Sequence, residues 1–291
     1  MSTLFQETEI KGRFSVIILS YKNLDYYSEC LDSIFKQNYG DIEIILSDDG
    51  SPDFNRDLLV EYISNKKGDN ISNIIVYSQK QNVGTVKNIN SALRLSSGEY
   101  IKLLAIDDIL SNENVLFDAS KWLDKNEDGI ITSNVAICDK NMQRTSVSYN
   151  KKQLVLNTIS QDDLFKKLCR RNFIDAVGIF EKRNFFEKNG LFDESFYLLE
   201  DWPKWLEAAL NGTKFLYANF ESACYRSDCG VGTSSNKKYL EDKKRVFKKY
   251  IAPNKKRLGI FNFLVTKLSF SFRTSYFVRC VYGFFFRKKQ K

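Results

Sequence analysis

Five short apolar runs, rich in β-branched residues, recur along the first half of the chain, each followed by a segment with helical spacing, and few folds accommodate that alternation. The runs are FSVIILS (14–20), IEIILS (42–47), NIIVYS (73–78), EYIKLLA (99–105) and GIITSNVAI (129–137). Helical segments begin near Asp25, Asp53, Thr85 and Asn112. Strands that are apolar on both faces belong inside a parallel sheet covered by helices, so the pattern predicts an α/β fold: a doubly wound, mainly parallel sheet with helices on both faces. After about residue 140 the pattern turns irregular. A hairpin is expected in QRTSVSYNKKQLVLN, with short helices around 161–171 and 183–189 and a further helix from Asp201 to Leu210.

Three acidic pairs are set into this frame: Asp48-Asp49, Asp107-Asp108 and Glu200-Asp201. The first two follow predicted strands directly and so fall at strand carboxyl ends, where open α/β sheets bind their ligands. Several carboxylates in one crevice repel each other unless a cation or a proton resolves the repulsion, which points to an enzyme. The chain has no histidine. Ser-His and Cys-His nucleophile arrangements are therefore excluded, and acid-base chemistry falls to carboxylates. The six cysteines form no CxxC pair, which argues against a zinc site. Residues 1–14 offer no apolar stretch long enough for a signal peptide, so the expected location is the cytoplasm.

Charge is segregated. From Lys243 to Lys291 there are 15 Lys and Arg and no Asp or Glu, leaving 29 basic against 36 acidic residues before them. The tail GIFNFLVTKLSFSFRTSYFVRCVYGFFFRKK interleaves Phe, Tyr, Leu and Val with Lys267, Arg273 and Arg279. That is too much charge for a spanning helix. It suits basic amphipathic helices lying on an anionic membrane surface, or, alternatively, helices packed on the body with the cations in solvent. No nucleic-acid-binding motif is present, and an acidic body would oppose wrapping of a polyanion.

The segments FSVIILSYKN, IILSDDGS, QNVGTVKNINSAL, GEYIKLLAIDDIL and GLFDESFYLLEDWPKWLEAALNG, in this order, resemble the family 2 glycosyltransferases over roughly residues 13–230. The resemblance implies inverting enzymes with a nucleotide-diphosphosugar-binding fold of the GT-A type. It divides the chain into a donor half (about 13–140), an acceptor half (about 141–230) and a basic helical tail (231–291). Ser20, Tyr21 and Asn23 leave the first strand in a turn that the resemblance places on the nucleobase. A carboxylate at Asp48 can accept the N3–H of a uracil ring, with Asp49 shaping the turn. Lys87 and Asn88 stand at a helix start that suits an anionic ligand.

Asp107-Asp108 offers hard oxygen ligands for the Mn²⁺ or Mg²⁺ that a sugar-nucleotide pyrophosphate needs, with Asp108 as metal ligand and Asp107 as partner to ribose or metal. Relatives often carry a further Asp where this chain has Ala105. Asp201, with Glu200 beside it, falls at the family's usual base position, taking the proton from the acceptor hydroxyl. Trp202 and Trp205 form either a sugar-stacking wall or core. Arg226, with SDCGVGTSS after it, resembles the loop that folds over the bound pyrophosphate.

These readings imply transfer of a sugar from a nucleotide-diphosphosugar, a UDP-sugar by expectation, to a polyprenyl-linked oligosaccharide at the inner face of the plasma membrane, as in capsule or O-antigen assembly. The alternative is a degenerate fold that binds nucleotide sugar or a partner enzyme without catalysis. Ala105 and the missing histidine favour it.

Overall fold

The computed structural model describes residues 4–148, 153–227 and 237–274. The strands are β1 (Ile10–Ser20), β2 (Ile42–Asp48), β3 (Ile71–Ser78), β4 (Gly98–Ala105), β5 (Ile109–Leu110), β6 (Ile130–Cys138), β7 (Arg144–Ser148), β8 (Ile179–Lys182) and β9 (Leu216–Arg226). The helices are α1 (Tyr27–Phe35), α2 (Arg56–Lys66), α3 (Thr85–Leu95), α4 (Val115–Leu123), α5 (Gln161–Arg170), α6 (Arg183–Asn189), α7 (Asp201–Leu210), α8 (Lys237–Val246), α9 (Lys255–Leu258) and α10 (Ile260–Thr274).

One sheet runs in the order β3-β2-β1-β4-β8-β6-β9-β5, with β7 on β6. The first four strands are mutually parallel. Because the chain steps outward from β1 to β3 and then returns to place β4 on the other side of β1, the strand order reverses between β1 and β4. A crevice opens at such a reversal, outside the strand carboxyl ends. β2 is buried along its whole length, as a strand covered on both faces must be. Side-chain alternation splits the core: Val16, Ile18, Ile44 and Leu46 face α1, α2 and α4, while Ile17, Ile45 and Ile101 face α3, α5 and α7.

The second half departs from the sequence expectation at two points. The fifth predicted strand, β6, does not lie beside β4, because β8 stands between them, antiparallel to both. With only IFEK as its sequence, half of it charged, β8 carries no strand signal. The expected hairpin also has different arms: Arg144–Ser148 folds back onto β6, and Leu154–Asn157 is a single tight helical turn. Residues 149–152 of that stretch lie outside the described residues.

The division expected at residue 231 is not a boundary in the core. Val246, Tyr250, Ile251, Leu258 and Phe270 belong to the same apolar cluster as Trp202 and Leu206. The Phe270 ring stacks on Trp202 with centroids 5.3 Å apart. On the opposite side of α10, Ile260, Phe261, Leu264, Val265 and Leu268 form an exposed stripe at helical spacing. Among the described residues no helix is long and apolar enough to cross a membrane.

Candidate functional site

A cleft of about 240 Å³ opens where β1 and β4 end, walled opposite by the start of α7. Of the sequence-predicted residues, Ser20, Tyr21, Asn23, Asp49, Asn88, Asp107, Asp108, Glu200 and Asp201 line it together. Asp48, Lys87, Trp202 and Arg226 stand outside its walls.

At the β1 end, the turn after Ser20 is braced from both sides. Tyr21 N–H donates to Asn23 Oδ1 (3.1 Å) and Lys22 N–H to Ser51 Oγ (2.8 Å), holding Lys22 at a left-handed φ of 59°. Asp48 is the organiser of this turn. Its two oxygens accept from Ser20 Oγ, Ser51 N–H, Ser51 Oγ and Ser78 Oγ at 2.6–2.9 Å. Four donors fill the lone-pair sites of a carboxylate, so Asp48 has no place left for the N–H of a base. Asp49 holds the cleft position instead, accepting from Val83 and Gly84 N–H at 2.8 and 3.0 Å. Burial raises its pKa, and those two amides oppose the rise.

Gly84, at φ +92°, opens α3 under Tyr197, where an added Cβ would lie 2.7 Å from the Tyr197 carbonyl oxygen. Only glycine lets the helix start so close to that loop. Within α3, Lys87 points outward and is exposed. Asn88 is buried, tied to Ser47 through both ends of its amide at 2.7 and 3.0 Å.

Asp107 and Asp108 turn the chain from β4 into β5, both almost wholly buried yet in the cleft wall. Burial drives the Asp108 pKa up to about 7, with the neighbouring Asp107 adding to the rise, and burial likewise raises Asp107. Arg226 is the brace of this corner. Its N–H donates to Asp108 Oδ1 (2.9 Å), its Nε to the Asp107 carbonyl (2.9 Å), and its remaining nitrogens to the Lys140 carbonyl and Glu29. With 1% of its surface exposed, it positions the acidic pair from behind. The loop from Asp228 to 235 lies outside the described residues.

Two adjacent desolvated carboxylates fit a hard divalent cation, which offsets their repulsion and draws its other ligands from water and phosphate. Among the described residues no group of three or more acidic or cysteine side chains completes a metal cage.

Across the cleft, Glu200 and Asp201 begin α7. Each keeps a face toward the cleft while protein surrounds the rest. Burial and Asp201 push the Glu200 pKa up; burial also raises Asp201, opposed by hydrogen bonds from Trp202 N–H (2.6 Å) and Asn172 Nδ2 (2.6 Å). Asp201 also borders a second cleft, shared with Arg171, Asn172, Trp202, Tyr239, Lys243 and Phe270. Trp202 stays out of the first cleft and is mostly core, buried with its Nε1 donating to the Leu168 carbonyl (2.9 Å), while its remaining surface borders the second cleft.

Asn172 and Asp242 are site-supporting residues that the sequence did not mark. Asp242, on α8, accepts from three successive amides, Tyr197, Leu198 and Leu199, at 3.0, 2.8 and 3.1 Å on a single oxygen. Such a run of N–H groups forms a nest for one anion. The basic tail thereby supplies the carboxylate that shapes the loop leading into Glu200.

The family description "Glycosyl transferase family 2" matches residues 15–186. An uncharacterized glycosyltransferase of Rickettsia felis is 28% identical over 195 residues, covering 66% of this chain but only 31% of that protein's length. Among solved structures, Staphylococcus aureus TarS 1–349 in complex with UDP-GlcNAc superposes with a TM-score of 0.61 at 21% identity, covering 89% of this chain and 74% of TarS 1–349. The mannosyltransferase PcManGT of Pyrobaculum calidifontis, in complex with GDP-Man and Mn²⁺, does so at 0.61 and 16%, covering 94% and 76%. At these identities the structural likeness shows the fold, a GT-A arrangement.

Proposed function

The chain belongs to glycosyl transferase family 2, and from that premise we propose that it transfers a sugar, with inversion, from a UDP-sugar to a hydroxyl of a polyprenyl-linked oligosaccharide at a membrane surface. The observation that carries this reading is that two carboxylate pairs from opposite walls face one cleft. One pair alone could be a capped turn. Two pairs on either side of a void divide the labour that glycosyl transfer requires.

Tyr21 supplies a ring for the base to stack on, and Asn23 and Asp49 offer groups for the base edge and ribose. Asp107 and Asp108 would hold Mn²⁺ or Mg²⁺, which supplies charge stabilisation to the departing nucleoside diphosphate. Asn88, on the first turn of α3, ties that helix to Ser47 near the end of β2 and so holds the helix start against the cleft. On the far wall Asp201 accepts the proton of the acceptor hydroxyl as that oxygen attacks C1 from the side opposite the leaving group. The donor then departs as nucleoside diphosphate and the configuration at C1 inverts. Asn172 holds the Asp201 carboxylate by one oxygen, fixing its direction. Glu200, whose raised pKa keeps a proton more readily, limits the charge on that wall.

The acceptor fits the second cleft, on the other side of Asp201 from the first. The exposed apolar stripe of α10 and the cations of the tail support docking on an anionic membrane, where a lipid-linked acceptor is presented. The decisive variant is Asp201→Asn, which keeps size and the approach to Asn172 but removes the base. It is expected to bind nucleotide sugar as the native chain does and to lose transfer by about 10³-fold, the middle of the roughly 10²- to 10⁴-fold range usual for a general base. Full transfer by Asp201→Asn would sink the base assignment.

A further inference from the structure

The inner end of the first cleft holds polar groups that nothing in the chain satisfies. Glu181, on β8, is 1% exposed, and neither carboxyl oxygen has a hydrogen-bond partner. Trp205, on α7, is 2% exposed, and its Nε1–H also has none. Of the five buried side-chain polar atoms left unpartnered among the described residues, these three share one cleft. Leaving a buried polar atom unpaired is costly, and natural cores do so seldom; three in one void mark a place that awaits a partner.

The cations nearest Glu181 are already engaged. Lys102 Nζ donates to the carbonyls of Val177 and Ile179 at 2.5 and 3.1 Å. Lys204 Nζ donates to those of Asn189, Gly190 and Leu191 and to Glu207. Both attract Glu181 through space, yet burial dominates and pushes its pKa up to about 8. A carboxyl that keeps its proton near neutrality both donates and accepts, which is what a neutral hydroxyl partner needs. The surrounding wall is apolar, formed by Leu103, Ile179 and Phe192.

We propose that Glu181 and Trp205 form the specificity-determining subsite for the transferred sugar, the carboxyl exchanging hydrogen bonds with a ring hydroxyl and the indole N–H donating to a second oxygen of the same ring. This rests on the reading of the cleft as a nucleotide-sugar site. A hydroxyl could come from the donor sugar or from the acceptor, and position favours the donor. Glu181 pairs with Ile101 of β4, the strand that delivers Asp107 and Asp108, whereas the second cleft lies beyond Asp201 and contains neither Glu181 nor Trp205.

The test is calorimetric titration of the full chain and of Glu181→Gln, Glu181→Leu and Trp205→Phe with UDP, UDP-glucose, UDP-galactose, UDP-N-acetylglucosamine and UDP-N-acetylgalactosamine in the presence of Mn²⁺. The expected result is unchanged UDP affinity in every variant, with the native preference among the four sugars reduced about 10- to 100-fold in Glu181→Leu and less in Glu181→Gln and Trp205→Phe. Glu181→Leu should also melt at a higher temperature than the native chain, because it removes an unsatisfied buried carboxyl. A merely structural glutamate would give the opposite, a variant less stable with the same sugar ranking. An unchanged ranking in folded variants that bind UDP overturns this subsite alone, whether water or an acceptor hydroxyl is the true partner. A native chain that binds UDP and none of the four sugars overturns it as well. Failure of the native chain to bind UDP removes the nucleotide-sugar reading and the subsite together.

Discussion

Replacing Asp242 should damage the active site although its own side chain lines neither cleft. Its Oδ2 gathers the amides of Tyr197, Leu198 and Leu199, and Arg245 holds the other oxygen at 3.2 Å. A hydrogen bond to a charged acceptor contributes about 1.5–3 kcal/mol, but three on one oxygen do not add fully. After Asp242→Ala, water can reach the half-buried Tyr197 and Leu198 amides, whereas the Leu199 amide is left buried and unpaired. The net cost works out at roughly 3 kcal/mol, or a loss of roughly 6–12 °C in melting temperature for a domain of this size. Asp242→Asn keeps one neutral acceptor for the nest and should lose about half as much. Because the loop leads directly into Glu200 and Asp201, its relaxation should also lower kcat about 10- to 100-fold, as misplacement of a catalytic group by about an ångström does. Thermal denaturation and donor-turnover kinetics on the three proteins measure both effects. An Asp242→Ala chain with native melting temperature and native kcat would refute the reasoning.

Three further outcomes are expected. The Glu181 carboxyl, raised from an ordinary value near 4.5 to about 8, binds its proton more tightly in the folded chain than in the unfolded one, so it lowers stability progressively as pH rises from about 4.5 to about 8. Lys102 on β4 and Lys204 on α7 oppose this without cancelling it. The melting temperature of Glu181→Leu relative to the native chain should therefore climb across that window, and a difference independent of pH would contradict the assignment. Asp48→Ala should be costly to stability, by about 3 kcal/mol, since it strips four donors at a turn joining three strands; denaturant unfolding with a native midpoint would show that the turn does not depend on it. Leu264→Asp with Leu268→Asp should abolish flotation with vesicles containing anionic lipid while leaving UDP binding intact, and undiminished flotation would remove α10 from the membrane contact.

The parallel half of the fold was legible because its strands are buried on both faces, and burial on both faces writes itself as unbroken Ile, Val and Leu. β8 and β9 were not, for different reasons. β8 is four residues long and carries Glu181 inward toward a cleft, so it breaks the rule that strand interiors are apolar. β9, LYANFESACYR, is half-covered, pairs with strands on either side in opposite senses, and shows no clean alternation. Among site residues, the acidic pairs stood out because their place after strands follows from local sequence. Asp48 and Asp49 could not be told apart that way, since which of the two faces the cleft depends on Ser20, Ser51 and Ser78 converging from three segments. Asp242 was hidden by distance: its partners lie 43 to 45 residues earlier and are backbone amides, which leave no trace in side-chain identity. Arg226 read as an open cation because sequence does not reveal that Glu29, Lys140 and Asp107 surround it.

The central proposal is a nucleotide-sugar cleft in which Asp107 and Asp108 hold a metal opposite Asp201. Calorimetric titration of the purified chain with UDP, in Mn²⁺ and then in EDTA, tests it most directly, with Asp108→Ala as the companion. Binding should require the metal in the native chain and should be lost in Asp108→Ala even with Mn²⁺ present. Equal UDP affinity in Mn²⁺ and EDTA, or metal-dependent binding that survives Asp108→Ala, would contradict it.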